Sequence, residues 1–145
     1  KKISITTFNK DKIIIKENDS GNSILFLIKG DISITQALTL KTNTYNYKDN
    51  REKELIRVSS KDKNFTFGEI SLFNSDKKRT ATVKATSECL IGKLNFSDLF
   101  EICESNKDVG YKLMKNIGEI ITGQLIKSNN NVLKLTTAFS LMVDK

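Results

Sequence analysis

The stretch Phe67-Gly68-Glu69-Ile70-Ser71-Leu72-Phe73, followed after Asn74-Ser75-Asp76-Lys77-Lys78 by Arg79-Thr80-Ala81-Thr82-Val83, decides how this chain is read. Gly68 lets the backbone come close to a ligand, and the amides of Glu69 to Ser71, at the start of a helical turn, form a site for a phosphate. Arg79 can add a charge-assisted, bidentate contact to the same anion. Glu69 only accepts hydrogen bonds when ionised, which suits a ribose hydroxyl and repels a second phosphate. A ligand with one phosphate charge and one free 2'-hydroxyl satisfies both residues together. The bland alternative for Lys77 and Lys78, beside Arg79, is a solvated loop with minor electrostatic effect.

Working outward, the chain from Ile3 to Leu94 has the grammar of strands: short β-branched or apolar runs separated by Gly, Asn, Asp and Ser clusters. The expected strands are Ile3 to Thr7, Lys12 to Lys16, Ile24 to Ile28, Asp31 to Leu40, Glu54 to Val58, Thr82 to Ala85 and Cys89 to Leu94. Many short strands at close spacing predict a sandwich or jelly roll. Turns are signalled by Asn18-Asp19-Ser20-Gly21-Asn22 and by Lys29-Gly30-Asp31, and Lys41 to Lys53 reads as a hairpin tip or loop.

After Leu94 the pattern turns helical. Asn95 or Ser97 can cap a short helix carrying Phe96, Leu99, Phe100 and Ile102, and Ser105-Asn106-Lys107-Asp108 has capping-box spacing for a second one. The second helix has a seam of Leu113, Ile117, Ile121, Leu125, Ser128, Val132, Leu135, Phe139 and Met142, spaced mostly four and three. Unbroken to Asp144 it would be on the order of 55 Å long at about 1.5 Å per residue. Such a helix needs a partner, and the expectation is a parallel homodimeric coiled coil. The alternative is a break at Asn129-Asn130-Asn131, with the second half folding back; Gly110, Gly118 and Gly123 also weaken the first half.

The 145 residues are sized for one domain, taken as 1–94 for the roll and 95–145 for the helical part, and 38% hydrophobic content supports a core. The chain starts at Lys1 rather than Met, as a segment of a longer protein would. A net charge of +7 favours anionic partners, although the scattered lysines read mostly as solvated surface. No apolar run approaches the roughly 20 residues of a membrane helix, and the expectation is a cytoplasmic protein without membrane attachment. Cys89 and Cys103 form no CxxC pair and read as small core residues. With no histidine, the usual general base and commonest transition-metal ligand are both missing. We expect no metal, no cofactor and no catalytic activity.

The 67–83 stretch resembles the phosphate-binding cassette of the cyclic-nucleotide-binding domain family: Phe-Gly-Glu-(Leu/Ile)-(Ala/Ser/Gly)-Leu, a variable loop, then Arg-(Ala/Ser/Thr)-Ala. The ten-residue step from Glu69 to Arg79 is similar to that of the catabolite-activator branch. Phe8 to Ile34 resembles the family's opening pattern, with Glu17 to Ile32 standing at its turn, Glu-Gly-Asp-x-Gly-Asp, following strand and glycine, and Asn95 to Asn106 resembles the helical segment after the roll. Asn18 stands where the family has a turn glycine, and Ser60 to Asn64 lacks a glycine before the cassette. The family's short helix ahead of the roll and its regulators' DNA-reading helix-turn-helix have no counterpart in this sequence.

The resemblance implies a mainly β fold with C-terminal helices, an eight-stranded jelly roll followed by a short and a long helix. It implies a regulatory sensor of cAMP, or of cGMP, that reports through the helices. The ligand set is Phe67, Gly68, Glu69, Ile70, Ser71, Arg79, Thr80 and Ala81, with Glu69 on the ribose 2'-hydroxyl and Arg79, Thr80 and the Gly68 to Ser71 amides on the cyclic phosphate. Thr80 is compatible with either nucleotide, and Thr122 or Gln124 on the long helix can contact the base. The competing reading is a ligand-free dimerisation module of the same fold.

Overall fold

The computed structural model describes residues 2–37, 52–62 and 64–143. Its strands are β1 (Ile3–Phe8), β2 (Ile13–Ile15), β3 (Ser23–Lys29), β4 (Asp31–Ala37), β5 (Glu52–Ser59) and β6 (Phe65–Phe67), then β7 (Thr82–Ala85) and β8 (Cys89–Asn95). A single helical turn, α1 (Ile70–Phe73), separates β6 from β7, and α2 (Phe96–Ser105) and α3 (Lys107–Val143) follow. The strands form two antiparallel four-stranded sheets, ordered β1-β8-β3-β6 and β2-β7-β4-β5. This is the expected eight-stranded roll with a short and a long helix behind it.

The core lies between the sheets. Leu25 and Leu27 of β3, Ile32 of β4, Val58 of β5, Phe67 of β6, Val83 and Ala85 of β7, and Ile91 of β8 are buried there. Their enclosure is the main favourable term for so small a roll, at about 25 cal/mol per Å² of apolar surface removed from water. Cys89 sits in the same cluster, its Sγ donating to the Asp31 carbonyl at 3.1 Å, and burial pushes its thiol pKa up.

Six of the seven strands read from sequence match to within two residues at each end. The strand expected to reach Leu40 is described only as far as Ala37, and residues 38–51 of it and of the following loop lie outside the described residues. Glu52 and Lys53, read as loop, pair with Ala37 and Gln36 as the first rungs of β5. Their place is set by the partner strand, which a polar local sequence does not reveal. The strand that the sequence did not signal, β6 (Phe65–Phe67), is only three residues long and runs straight into the cassette, so no alternation marks it.

The chain divides into two compact units, 1–99 and 100–145. In the second, α3 is one continuous helix of 37 residues that passes through Asn129-Asn130-Asn131 without a break. The alternative of an interrupted helix is thereby corrected: asparagine costs only a few tenths of a kcal/mol per residue in a helix. Beyond Ile121 the seam faces solvent, with Leu125, Val132, Leu135, Phe139 and Met142 all exposed.

The start of α3 differs from the expected capping box. The Asn106 side-chain oxygen accepts the Val109 amide at 3.1 Å, whereas the Ser105 hydroxyl donates to the Ile102 carbonyl of α2. Asn106 is therefore the cap, three residues before its amide donor. Replacing it, Asn106→Ala, is expected to lower unfolding stability by about 0.5–2 kcal/mol in urea titrations followed by helical circular dichroism, with Ser105→Ala costing less. Equal losses in the two variants would contradict this assignment.

Candidate functional site

The site is built where the end of the cassette meets the first turn of the roll. Asn18 to Asn22 lies alongside Lys77 to Arg79, joined by backbone bonds from the Asn18 amide to the Arg79 carbonyl at 2.9 Å, from the Arg79 amide to the Asp19 carbonyl at 2.9 Å, and from the Gly21 amide to the Lys77 carbonyl at 2.7 Å. The Ser71 hydroxyl donates to the Lys78 carbonyl at 3.1 Å, and the Thr82 hydroxyl accepts the Glu17 amide at 3.1 Å. Asn18 holds a left-handed backbone, φ 69°, which asparagine tolerates better than most residues. This is why it can stand where the sequence pattern has glycine.

These bonds fix the backbone of Arg79, and its side chain turns inward. Arg79 is 7% exposed; its Nη2 donates to the Ser23 carbonyl at 2.9 Å and to the Ser23 hydroxyl at 3.2 Å, and its Nη1 donates to the Gly68 carbonyl at 3.0 Å. Three bonds engage at most three of its five N–H groups. Two glycines make room for it. A Cβ on Gly21 would lie 2.6 Å from Arg79 Nε and 2.7 Å from Ser71 Oγ, and one on Gly68, whose φ is +83°, would collide with Arg79 Nη1.

Glu69 occupies the N-cap position of α1 and is 2% exposed, with its Oε2 out of solvent contact. Burial lowers the Arg79 pKa from its ordinary value, and the Glu69 carboxylate opposes that shift. The two charges therefore sense one another in a poorly solvated place, where pairing offsets part of the desolvation cost.

The structure brings buried Glu69, Ser71 and Arg79 of the sequence-derived set together with half-buried Gly68. Phe67 is in the core, Ile70 and Thr80 are exposed, and Ala81 is half-buried. Thr122 and Gln124 are exposed on α3, in the second unit. At about 100° per residue, positions two apart point in directions some 200° from each other. One helix face therefore cannot present both, and the pair works only as alternatives, as the sequence reading left them.

Sequence reasoning missed Ser23 and the packing role of Gly21. Ser23 is 2% exposed and anchors Arg79 through both its carbonyl and its hydroxyl. A serine opening an apolar strand carries no signal of this, because the anchoring carbonyl belongs to any residue. Two clefts flank the turn, one of about 330 Å³ that includes Arg79, Ser23 and Lys93, and one of about 380 Å³ between Ser20 to Asn22, Lys77 and Asn95 to Ser97. Neither reaches Glu69, Thr80 or Ala81. Among the described residues, no cluster of His, Cys, Asp or Glu could hold a metal, and no helix is long and apolar enough to cross a membrane.

Comparison with known proteins agrees with this architecture. A cyclic nucleotide-binding domain from Methylobacillus flagellatus superposes with a TM-score of 0.75 at 16% identity, over 91% of this chain and 67% of that one. The catabolite activator protein of Thermus thermophilus gives 0.69 at 15% identity, over 93% and 55%. The regulatory domain of Toxoplasma gondii PKA, solved with cAMP, gives 0.56 at 20% identity, over 70% and 33%. At these identities the likeness concerns the fold, and the chain spans about half the length of the catabolite activator protein. No curated protein matches the chain. The cyclic nucleotide-binding domain family matches residues 5–106, from the first strand to the cap of the long helix, and this chain belongs to that family.

Proposed function

We propose that this chain is a regulatory sensor that binds cAMP, or alternatively cGMP, at the cassette and reports occupancy through its C-terminal helices. The observation that carries the reading is the group of buried Arg79, Glu69 and Ser71 with half-buried Gly68, whose two charges and backbone amides suit a singly charged cyclic phosphate beside a ribose hydroxyl. The bonds to Ser23 and Gly68 engage at most three of the five N–H groups of Arg79, and in this proposal the phosphate takes the others. Glu69 accepts the 2'-hydroxyl. Glu69 is 2% exposed, so in this proposal the 68–81 segment shifts to let the nucleotide reach it. Ligand binding then selects the rearranged cassette, and the population shift is as large as the ligand's preference for that arrangement. Movement of α2 and of the long helix, with Thr122 or Gln124 over the base, completes the response in this proposal.

The exposed apolar residues along α3 support homodimerisation through that helix. Water-exposed Leu125, Val132, Leu135, Phe139 and Met142 at heptad spacing are buried most simply by a parallel second copy. The same observation is what favours the second reading, a ligand-free dimerisation module, and titration with fluorescent cAMP and cGMP separates the two.

In such titrations Arg79→Ala is expected to weaken nucleotide binding roughly 10- to 200-fold, from about 1.5–3 kcal/mol for hydrogen bonds to a charged group, with Glu69→Gln weakening it less. Unchanged affinity in a folded Arg79→Ala protein removes the phosphate site. Gly21→Ala, which touches no ligand group, should weaken binding as well, because its Cβ displaces the Arg79 guanidinium. Sedimentation velocity should find a dimer that the double change Leu135→Glu, Phe139→Glu turns into a monomer; a native monomer would refute the coiled coil.

A further inference from the structure

We propose that the cleft between the two sheets beside Arg79 is a second binding site, for a small organic anion with a short apolar body. It is a half-open cleft of about 330 Å³, at the lower end of the roughly 300–1,000 Å³ of small-molecule pockets. Half-buried Phe8 and Ile14 and buried Leu25 supply an apolar wall. Residues directly opposite in paired strands share a face, and Lys93 of β8 is opposite Leu25 of β3, so it stands on the inward side at the end of the sandwich. Lys16, immediately after β2, lines the cleft as well.

Charge gives the ligand its class. Three cationic residues, Lys16, Lys93 and Arg79, line the cleft against one acidic residue, Asp19. Neither lysine makes a salt bridge among the described residues, in contrast to Lys84, whose ammonium is 3.0 Å from Asp11. Both lysines are exposed, and an ammonium at the open rim of an apolar wall suits an anion whose remaining surface is greasy. The hydroxyls of Thr6 and Ser23 add neutral donors. Carboxylates and phosphate monoesters share the required chemistry, a compact anionic head on a ring or short chain.

The site is distinct from the nucleotide site, since Arg79 is its single member from the cassette set. Arg79 is also where the two sites touch, through its bonds to Ser23, which lines the cleft.

The test is amide NMR shift mapping of the chain with phenyl phosphate, benzoate and inorganic phosphate, repeated on Lys93→Gln. Phenyl phosphate or benzoate should perturb the amides of Thr6, Lys16 and Lys93 saturably, the stronger of the two naming the head group. Lys93→Gln should weaken that response roughly fivefold or more while leaving cAMP affinity unchanged. The proposal is overturned by no saturation at about 10 mM probe, by equal binding of inorganic phosphate, by shifts centred on Glu69 and Thr80, or by an unaffected Lys93→Gln. Binding of phenyl phosphate at the cleft by a chain that ignores cAMP would uphold this site and remove the nucleotide reading, so the two fail separately.

Discussion

One buried cation organises the functional end of this molecule. Arg79 is drawn out of water and held by the carbonyls of Ser23 and Gly68 and the hydroxyl of Ser23, with Glu69 as its nearby countercharge. A guanidinium in such a place is tolerated only when hydrogen-bonded and charge-compensated. Both glycines that flank it are needed for space, so Gly21, Gly68 and Arg79 form a linked set although they are far apart in sequence. The turn at 18–22 matters for the same reason: its three backbone bonds to 77–79 fix the backbone from which the arginine side chain turns inward.

The same turn also reaches α2. The Asn22 carbonyl accepts the Phe96 amide at 2.8 Å, one residue after the last strand. Asn22 thus stands between the segment that carries Arg79 and the residue that opens α2, within a single short loop. The connection is made of backbone groups.

Much of the fold was legible in the sequence because its signals are local. The runs of Ile, Leu, Val and Thr between Asn, Asp and Gly clusters located most of the strands, and the four-three spacing after Leu113 located the long helix. The cassette residues were legible because chemistry demands particular side chains there: a fork-shaped cation, a carboxylate and a residue without a Cβ. What stayed hidden is non-local or uses backbone. The β5 residues Glu52 and Lys53 are strand because β4 pairs with them. Ser23 serves chiefly through a carbonyl, and Asn106 rather than Ser105 caps α3 because the helix begins one residue later than the spacing of the box suggests.

We propose that the guanidinium of Arg79 receives the phosphate of a cyclic nucleotide while Glu69 receives its sugar. A crystal structure of the chain saturated with cAMP tests it most directly. The predicted result is a phosphate oxygen within hydrogen-bonding distance of the Arg79 guanidinium, with the ribose 2'-hydroxyl on the Glu69 carboxylate. Nucleotide density elsewhere, with Arg79 bonded only to Ser23 and Gly68 and Glu69 still enclosed, would contradict it.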